Sequence, residues 1–458
     1  MRRKLWKGIA LICAMTMLAG CSDVGNVSRI GDETRESQGA EPAKQESEAR
    51  QGDEKQEEGM AAEETKQDAN ARTLEQVSTE KFSVDPMKLK DSWQRAAFFA
   101  DWVYQEKKEN TLVSPMSLNM ALGLAAEGAS GDTAKELYQY LGREDYAKFA
   151  KDYMDFAEGI AADKGTMAYN EEFSFHYEIA NSLWIYEKKR LIEEYQKNME
   201  ENFHAEVAPV DFVGDPAGAA KQINDWCNEK THEMIPEILK ESDIKGETRA
   251  ILVNSLYFES PWVEKWRLAE HDFTEFSGKK TTQEMLVGGA DWYYENEKAT
   301  AFGKNYYNGF RFIGILPKQE GEFCILDLDL ESLVKSESAD YQVSAVMPKL
   351  DYDTTEEAVE NILKAQGIET PFYPHTAQFD KILENEEMHI GQILQKCKIE
   401  LNENGTKAAA VTAIMLRANG IAPAKQQKEV NLDRPFAFLI YDSVNEEIVF
   451  VGKVIQAE

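Results

Sequence analysis

Apolar positions along this chain follow two periods. From Asp91 to Glu106, Trp93, Ala96, Ala97, Ala100 and Val103 recur at helical spacing and predict an amphipathic helix. Ser114-Pro115 opens a second helix, with Ser as cap and Pro in the first turn, and Gly128 ends it after Glu127. A third helix follows Gly131-Asp132 and carries Leu137 and Leu141. Elsewhere the pattern is that of strands: Ile179 to Tyr186, Phe310 to Leu316, Tyr341 to Met347 and Lys396 to Leu401. Ala250 to Phe258 is almost continuously apolar, as a strand buried on both faces must be. Phe436 to Tyr441 and Ile448 to Val454 flank a short polar turn and predict a hairpin. Helices and strands mix without a regular βαβ rhythm, and no internal repeat is found. The expected class is therefore α+β, not a doubly wound sheet.

The N-terminus differs in kind. Arg2, Arg3, Lys4 and Lys7 precede an apolar run from Ile9 to Ala19, too short to span a bilayer as a mature helix. Residues 1–20 read as an export leader outside the fold. The run ends in Leu18-Ala19-Gly20-Cys21, which resembles the lipobox of bacterial lipoproteins. The resemblance implies that Cys21 becomes the lipidated N-terminus, carrying fatty acyl groups such as palmitate, on a bacterial surface or extracytoplasmic face. The other reading is an ordinary secretory signal with a chance Cys. Residues 21–82 are rich in Glu, Gln, Lys, Ala and Ser and poor in large apolar side chains. They read as a disordered acidic linker, or over Glu54 to Gln67 as a lone polar helix. A coil of about 60 residues reaches roughly 40–45 Å. The globular domain is expected over 83–458.

Composition narrows the function. The 51 Lys and Arg against 82 Asp and Glu leave a net charge of −31, and no basic patch is segregated, so nucleic acid is not an expected partner. Cys227, Cys324 and Cys397 form neither a disulfide framework nor a zinc spacing, and read as small core hydrophobes. Catalytic motifs fail one by one. Gly128-Ala129-Ser130-Gly131-Asp132 lacks the last Gly of a nucleophile elbow and follows a helix where a strand is needed. His232-Glu233 has Pro236 where a zinc-protease helix needs its second His. The six histidines are scattered. No enzyme activity, metal or cofactor is expected.

One segment stands out. About 30 residues separate the strand ending near Leu401 from the one at Phe436, and structureless loops of that length are usually functional or disordered. The segment opens Asn402-Glu403-Asn404-Gly405-Thr406-Lys407-Ala408-Ala409-Ala410-Val411-Thr412-Ala413. Taken alone it reads equally as a short Ala-rich helix stopped at Asn419-Gly420. Its surroundings resemble the serpin family, over about residues 90–455. Asn110 to Leu118, Ile223-Asn224-Asp225-Trp226 with Ile235 to Leu239, and Leu252 to Phe258 with Pro261-Trp262 carry the resemblance. So do Ala345 to Lys349, Ala377 to Asp380, Arg434 to Phe438 and Phe450 to Val454.

The resemblance implies three β-sheets, eight to nine helices and an exposed reactive-centre loop over about 403–430. It implies a monomeric suicide-substrate inhibitor of extracellular serine proteases, trypsin-like or elastase-like, with a cysteine protease as a further candidate target. A non-inhibitory surface lipoprotein of the same fold, with a binding or structural role, is the alternative. After cleavage such a loop becomes a new strand of a sheet. Glu403, Gly405, Thr406, Ala408, Ala410 and Thr412 would form the hinge. Gly405 supplies backbone freedom, and alternation turns Thr406, Ala408, Ala410 and Thr412 inward, all small. Lys407 stands where serpins usually have an acidic residue. Completing the strand would form roughly 10–20 hydrogen bonds at about 0.5–1.5 kcal/mol each. Ser114, Ser117 and Asn254 match the polar shutter beneath the sheet, and Trp262 the breach above it. Gln395 replaces the usual shutter His, so different hydrogen bonds are expected there. Family spacing puts the scissile bond near Asn419-Gly420. Arg417 would suit trypsin-like enzymes, and Ala418 elastase-like ones.

Overall fold

The computed structural model of the chain describes residues 9–19, 82, 84–162, 175–406 and 425–456. The chain divides into two units, residues 1–20 with 84–458 and residues 21–83; the elements below belong to the first. Eight α-helices fall among the described residues. α1 (Ser92–Lys107) starts where the Asp91 carboxylate accepts the Gln94 N–H at 2.9 Å, which satisfies one of the first-turn donors a helix leaves open. α2 (Pro115–Glu127) starts in the same way on Ser114 and stops at Gly128. α3 (Gly131–Leu141), α4 (Tyr146–Ala162), α5 (Glu193–Asn202) and α6 (Pro216–Lys230) follow. The short α7 (Leu330–Lys335) and α8 (Val359–Ala365) complete the set. None of these is long and apolar enough to cross a membrane.

The strands are β1 (Ile9–Ala19), β2 (Thr111–Val113), β3 (His176–Tyr186), β4 (Glu206–Val210) and β5 (Thr248–Pro261). Then come β6 (Arg267–Thr274), β7 (Lys280–Ala290), β8 (Trp292–Glu295), β9 (Ala299–Asn305) and β10 (Phe310–Pro317). β11 (Tyr341–Pro348), β12 (Leu350–Glu356), β13 (Met388–Asn402), β14 (Gly405–Thr406) and β15 (Gln426–Asn431) lead to the hairpin β16 (Phe436–Asp442) and β17 (Glu447–Val454). They form three sheets. The largest runs β12, β13, then β1 and β14 end to end, then β5, β3 and β4. The second has the order β2-β17-β16-β10-β9-β8, and the third β15-β11-β7-β6. This is an α+β fold, as the pattern predicts, with the three sheets that the family resemblance implies.

The core lies between these layers. β5 is buried along almost its whole length, which explains its unbroken apolar sequence. α2 is buried on nearly every side and packs behind β5 and β17. α6 covers the outer face of the large sheet: Ile223, Trp226 and Cys227 join Trp184 of β3, Tyr257 of β5 and Leu394 of β13 in one apolar cluster. A buried pair ties the last strand to α1, with Lys453 Nζ 3.5 Å from Asp101 and 3.8 Å from the Tyr104 ring centroid. Burial raises the Asp101 carboxyl and lowers the Lys453 ammonium.

One strand was not expected. Residues Ile9–Ala19, read from the sequence as a leader outside the fold, form β1 in the full-length chain. β1 is antiparallel to both β5 and β13, so those two run parallel to each other with β1 between them. The run pairs through its backbone on both edges, and Met15 is fully buried.

Candidate functional site: the interval between two parallel strands

The interval between β5 and β13 has a mouth, where the chain itself turns in. After Asn402 the backbone reverses through Glu403 and Asn404, and Asn404 N–H donates to its neighbour's Asn402 Oδ1 at 2.9 Å. Gly405 and Thr406 then pair on both sides as β14, Gly405 opposite Asn402 and Pro261, Thr406 opposite Leu401 and Ser260. Gly405 has φ +152°, and a Cβ there would lie 2.4 Å from the Ser260 carbonyl oxygen. Only glycine fits so close a backbone approach. Thr406 is fully buried, its hydroxyl 2.6 Å from that of Tyr306.

Trp262 frames this mouth. Its ring lies against Tyr306 at 4.2 Å between centroids and 14° between planes, and its Nε1–H donates to Asn402 O at 2.9 Å. The Trp262 and Trp266 backbone N–H groups donate to Asn404 O and Glu403 O, each at 3.1 Å. Lys349 is 3.9 Å from Glu403 and 2.6 Å from Glu284. The hinge turn is therefore fastened by backbone bonds rather than by charge, since exposed ion pairs contribute little.

Beneath the interval lies a buried polar chain. Ser114 Oγ donates to Val449 O at 2.6 Å while accepting the Ser117 N–H at 3.2 Å, so it is both a helix cap and part of this floor. Ser117 Oγ donates to Asn254 Oδ1, Asn254 Nδ2 to Asn181 Oδ1 at 2.8 Å, and Asn181 Nδ2 to Phe203 O at 2.7 Å. From the opposite edge Gln395 Oε1 accepts the Ser114 N–H at 3.2 Å, and its Nε2 donates to Ser114 O at 3.1 Å. An amide that both donates and accepts closes on one residue's backbone, with no titrating group. Asn181 was not singled out in the sequence, because an Asn inside a strand carries no motif.

The registers of β1 and β14 coincide. Thr406 faces Ser260, and Ile9 takes up the ladder at Phe258, one position beyond Glu259. Further along, Cys13 lies opposite Asn254 on one side and Gln395 on the other. β1 thus continues the line of β14 in the same direction, past the polar floor.

The sequence places Ser114, Ser117, Asn254, Trp262, Gln395, Glu403, Gly405 and Thr406 in this site, and the structure brings all eight to one interval of one sheet. Ala408, Ala410 and Thr412 of the hinge, Arg417, Ala418, Asn419 and Gly420 around the scissile bond, and Cys21 lie outside the described residues. The distal end of the loop region returns as β15, parallel to β11. Cys227 and Cys397 are buried as expected, whereas Cys324 is only half-buried, with burial pushing its thiol up to about 12.

Comparison with known proteins follows the geometry. The family model described as Serpin (serine protease inhibitor) matches residues 96–457. A serpin-like protein of Thermococcus kodakarensis, itself uncharacterized, is 30% identical over 75% of this chain and 80% of its own. A serine protease inhibitor of Cyanea capillata is 26% identical over 78% of this chain and 95% of its own. Among solved structures, the thermophilic serpin tengpin in its native state aligns with a TM-score of 0.65 at 27% identity, over 79% of this chain and 93% of that one. With three sheets, a glycine hinge at the mouth of the largest and a match over nearly all of residues 84–458, this chain belongs to the serpin family of protease inhibitors.

Proposed function

We propose that this chain is a suicide-substrate inhibitor of extracellular serine proteases, acting by loop cleavage, acyl-enzyme trapping and insertion of the loop between β5 and β13. The observation that carries this reading is β14. Gly405 and Thr406 already sit in the ladder at the mouth, pointing down the interval. Continuing their register one residue at a time sets Ala408 opposite Phe258 and Thr412 opposite Asn254, so small side chains pass the polar floor. The positions they would take are those held by Ile9 and Cys13 in the full-length chain. An extended segment antiparallel to both neighbours is what the interval accepts, and Gly405 and Thr406 begin one.

Family spacing would put the scissile bond within Arg417 to Gly420, which would suit trypsin-like or elastase-like targets. Lipidation at Cys21 would hold the inhibitor at a bacterial surface, at the end of the linker. The test is an SDS-resistant complex with a panel of such proteases, formed by a chain that begins at Cys21. If every protease cuts the loop and leaves fully active, inhibition is refuted and a binding role remains. Thr406→Arg should turn inhibitor into substrate, because a guanidinium cannot replace the buried hydroxyl beside Tyr306. An unchanged stoichiometry of inhibition in that variant would remove the insertion step.

A further inference from the structure

His176 and Glu178 sit two residues apart on β3, so both point to one face of the sheet. α6 ends at Lys230, and the chain then turns through His232 (φ +48°) and Glu233 (φ +67°). That turn returns the His232 ring to the same face. Its Nε2–H donates to Glu178 Oε2 at 3.1 Å, and His176 Nδ1–H donates to Glu178 Oε1 at 3.0 Å. The two imidazoles lie 5.2 Å apart between centroids, and His232 rests on Tyr257 of β5 at 4.4 Å. One donor atom from each of the three residues falls within 4.8 Å of the others, the one grouping of this kind among the described residues.

We propose that His176, Glu178 and His232 form a binding site for a divalent transition-metal ion of the zinc class. Two imidazole nitrogens and one carboxylate, with a position left for water, are a ligand set that such ions take, whereas magnesium and calcium prefer all-oxygen shells. Tetrahedral ligands about 2.0–2.2 Å from zinc lie about 3.3–3.6 Å apart, so the three donors need only modest shifts. Each side chain is roughly two-fifths exposed, with 38% for His176, 39% for Glu178 and 40% for His232, so a hydrated ion can reach them. Both Glu178 oxygens already face the two rings, so the carboxylate is positioned as a ligand. On binding, the ring nitrogens facing the ion would be unprotonated, each proton moving to the other ring nitrogen of a neutral imidazole or leaving to solvent from a charged one.

The site would join two elements. It bridges the C-terminal end of α6 to β3, and α6 belongs to the cluster that reaches Tyr257 of β5 and Leu394 of β13, on both sides of the interval. A bound ion would fasten the end of α6 to β3.

The experiment uses the full-length chain, freed of metal, titrated with Zn²⁺ by calorimetry and with Co²⁺ by visible absorption. One ion per chain and a tetrahedral cobalt spectrum are expected. His232→Ala and His176→Ala should each weaken binding at least tenfold and lose the spectrum, with His204→Ala, whose ring pairs with Asp155 and Glu158 elsewhere, unchanged. Circular dichroism and melting without metal show whether the variants fold. If a variant fails to fold, Glu178→Gln, which keeps the shape and one acceptor, replaces it with the same expectation. No stoichiometric binding, or binding equal in wild type and folded ligand variants, overturns the site.

Discussion

At the scale of single residues, Gln395 shows what can and cannot be read from a chain. The sequence marks it as a departure, an amide where the family usually has an imidazole. Only the fold reveals that both ends of this amide meet Ser114. The Ser114 carbonyl also accepts the Leu118 N–H, but its own N–H has Gln395 as the acceptor. Gln395→Ala should therefore strand one buried donor and destabilise the protein by about 1–3 kcal/mol. Urea unfolding of the variant beside the parent would show it, and equal midpoints would mean that the bond contributes nothing. His176 and His232 mark the opposite limit. They stand more than fifty residues apart, and nothing in local sequence links a strand start to a helix end, so their meeting on Glu178 could not be foreseen.

Elements were legible where burial imposes a period. The first three helices of the domain, the central strand and the closing hairpin all fall within a few residues of their expected ends. β6 and β7 went unread for a physical reason. β6 (Arg267–Thr274) is exposed at most positions, and β7 (Lys280–Ala290) is polar in its first half and ends on a Gly pair. β6 lies at the sheet rim and need not alternate, whereas β7, paired on both edges, buries only Met285 and Leu286 fully. β13 was read only over Lys396 to Leu401, since Gly391, Gln392 and Gln395 interrupt its apolar run. β15 pairs with β11 and buries Val430, and Lys428 adds a clamp. Lys428 lies 4.5 Å from the Tyr293 ring centroid and 3.5 Å from Glu295, which Lys318 also pairs at 2.9 Å. The Lys318 hydrogen bond, then that of Tyr293, lowers the Glu295 carboxyl from 4.5 to about 2. A depressed carboxyl stabilises the fold fully above pH 4.5, and its contribution fades as pH falls through about 2. Solvent exposure keeps the effect below about 1 kcal/mol. Glu295→Gln should flatten the acid limb of stability against pH and speed amide exchange in β15. An unaltered limb would place acid sensitivity elsewhere.

At the scale of the whole molecule, two stretches of one chain address the same row of hydrogen-bond partners. Gly405 and Thr406 hold the first two places, and Ile9–Ala19 fill those beyond. A loop can gain those places only if they are vacant. Nicking the loop of a chain that begins at Cys21 should raise its melting temperature sharply, while nicking the full-length chain should raise it little, as followed by differential scanning calorimetry. Equal gains would mean that β1 yields readily; no gain in either would refute the proposed insertion. The outcome bears on timing. If β1 does not yield, a polypeptide that keeps its first twenty residues has no place left to offer the loop. Trimming those residues would then set the moment at which the molecule becomes a trap, and would tie its potency to the history of the chain as much as to its shape.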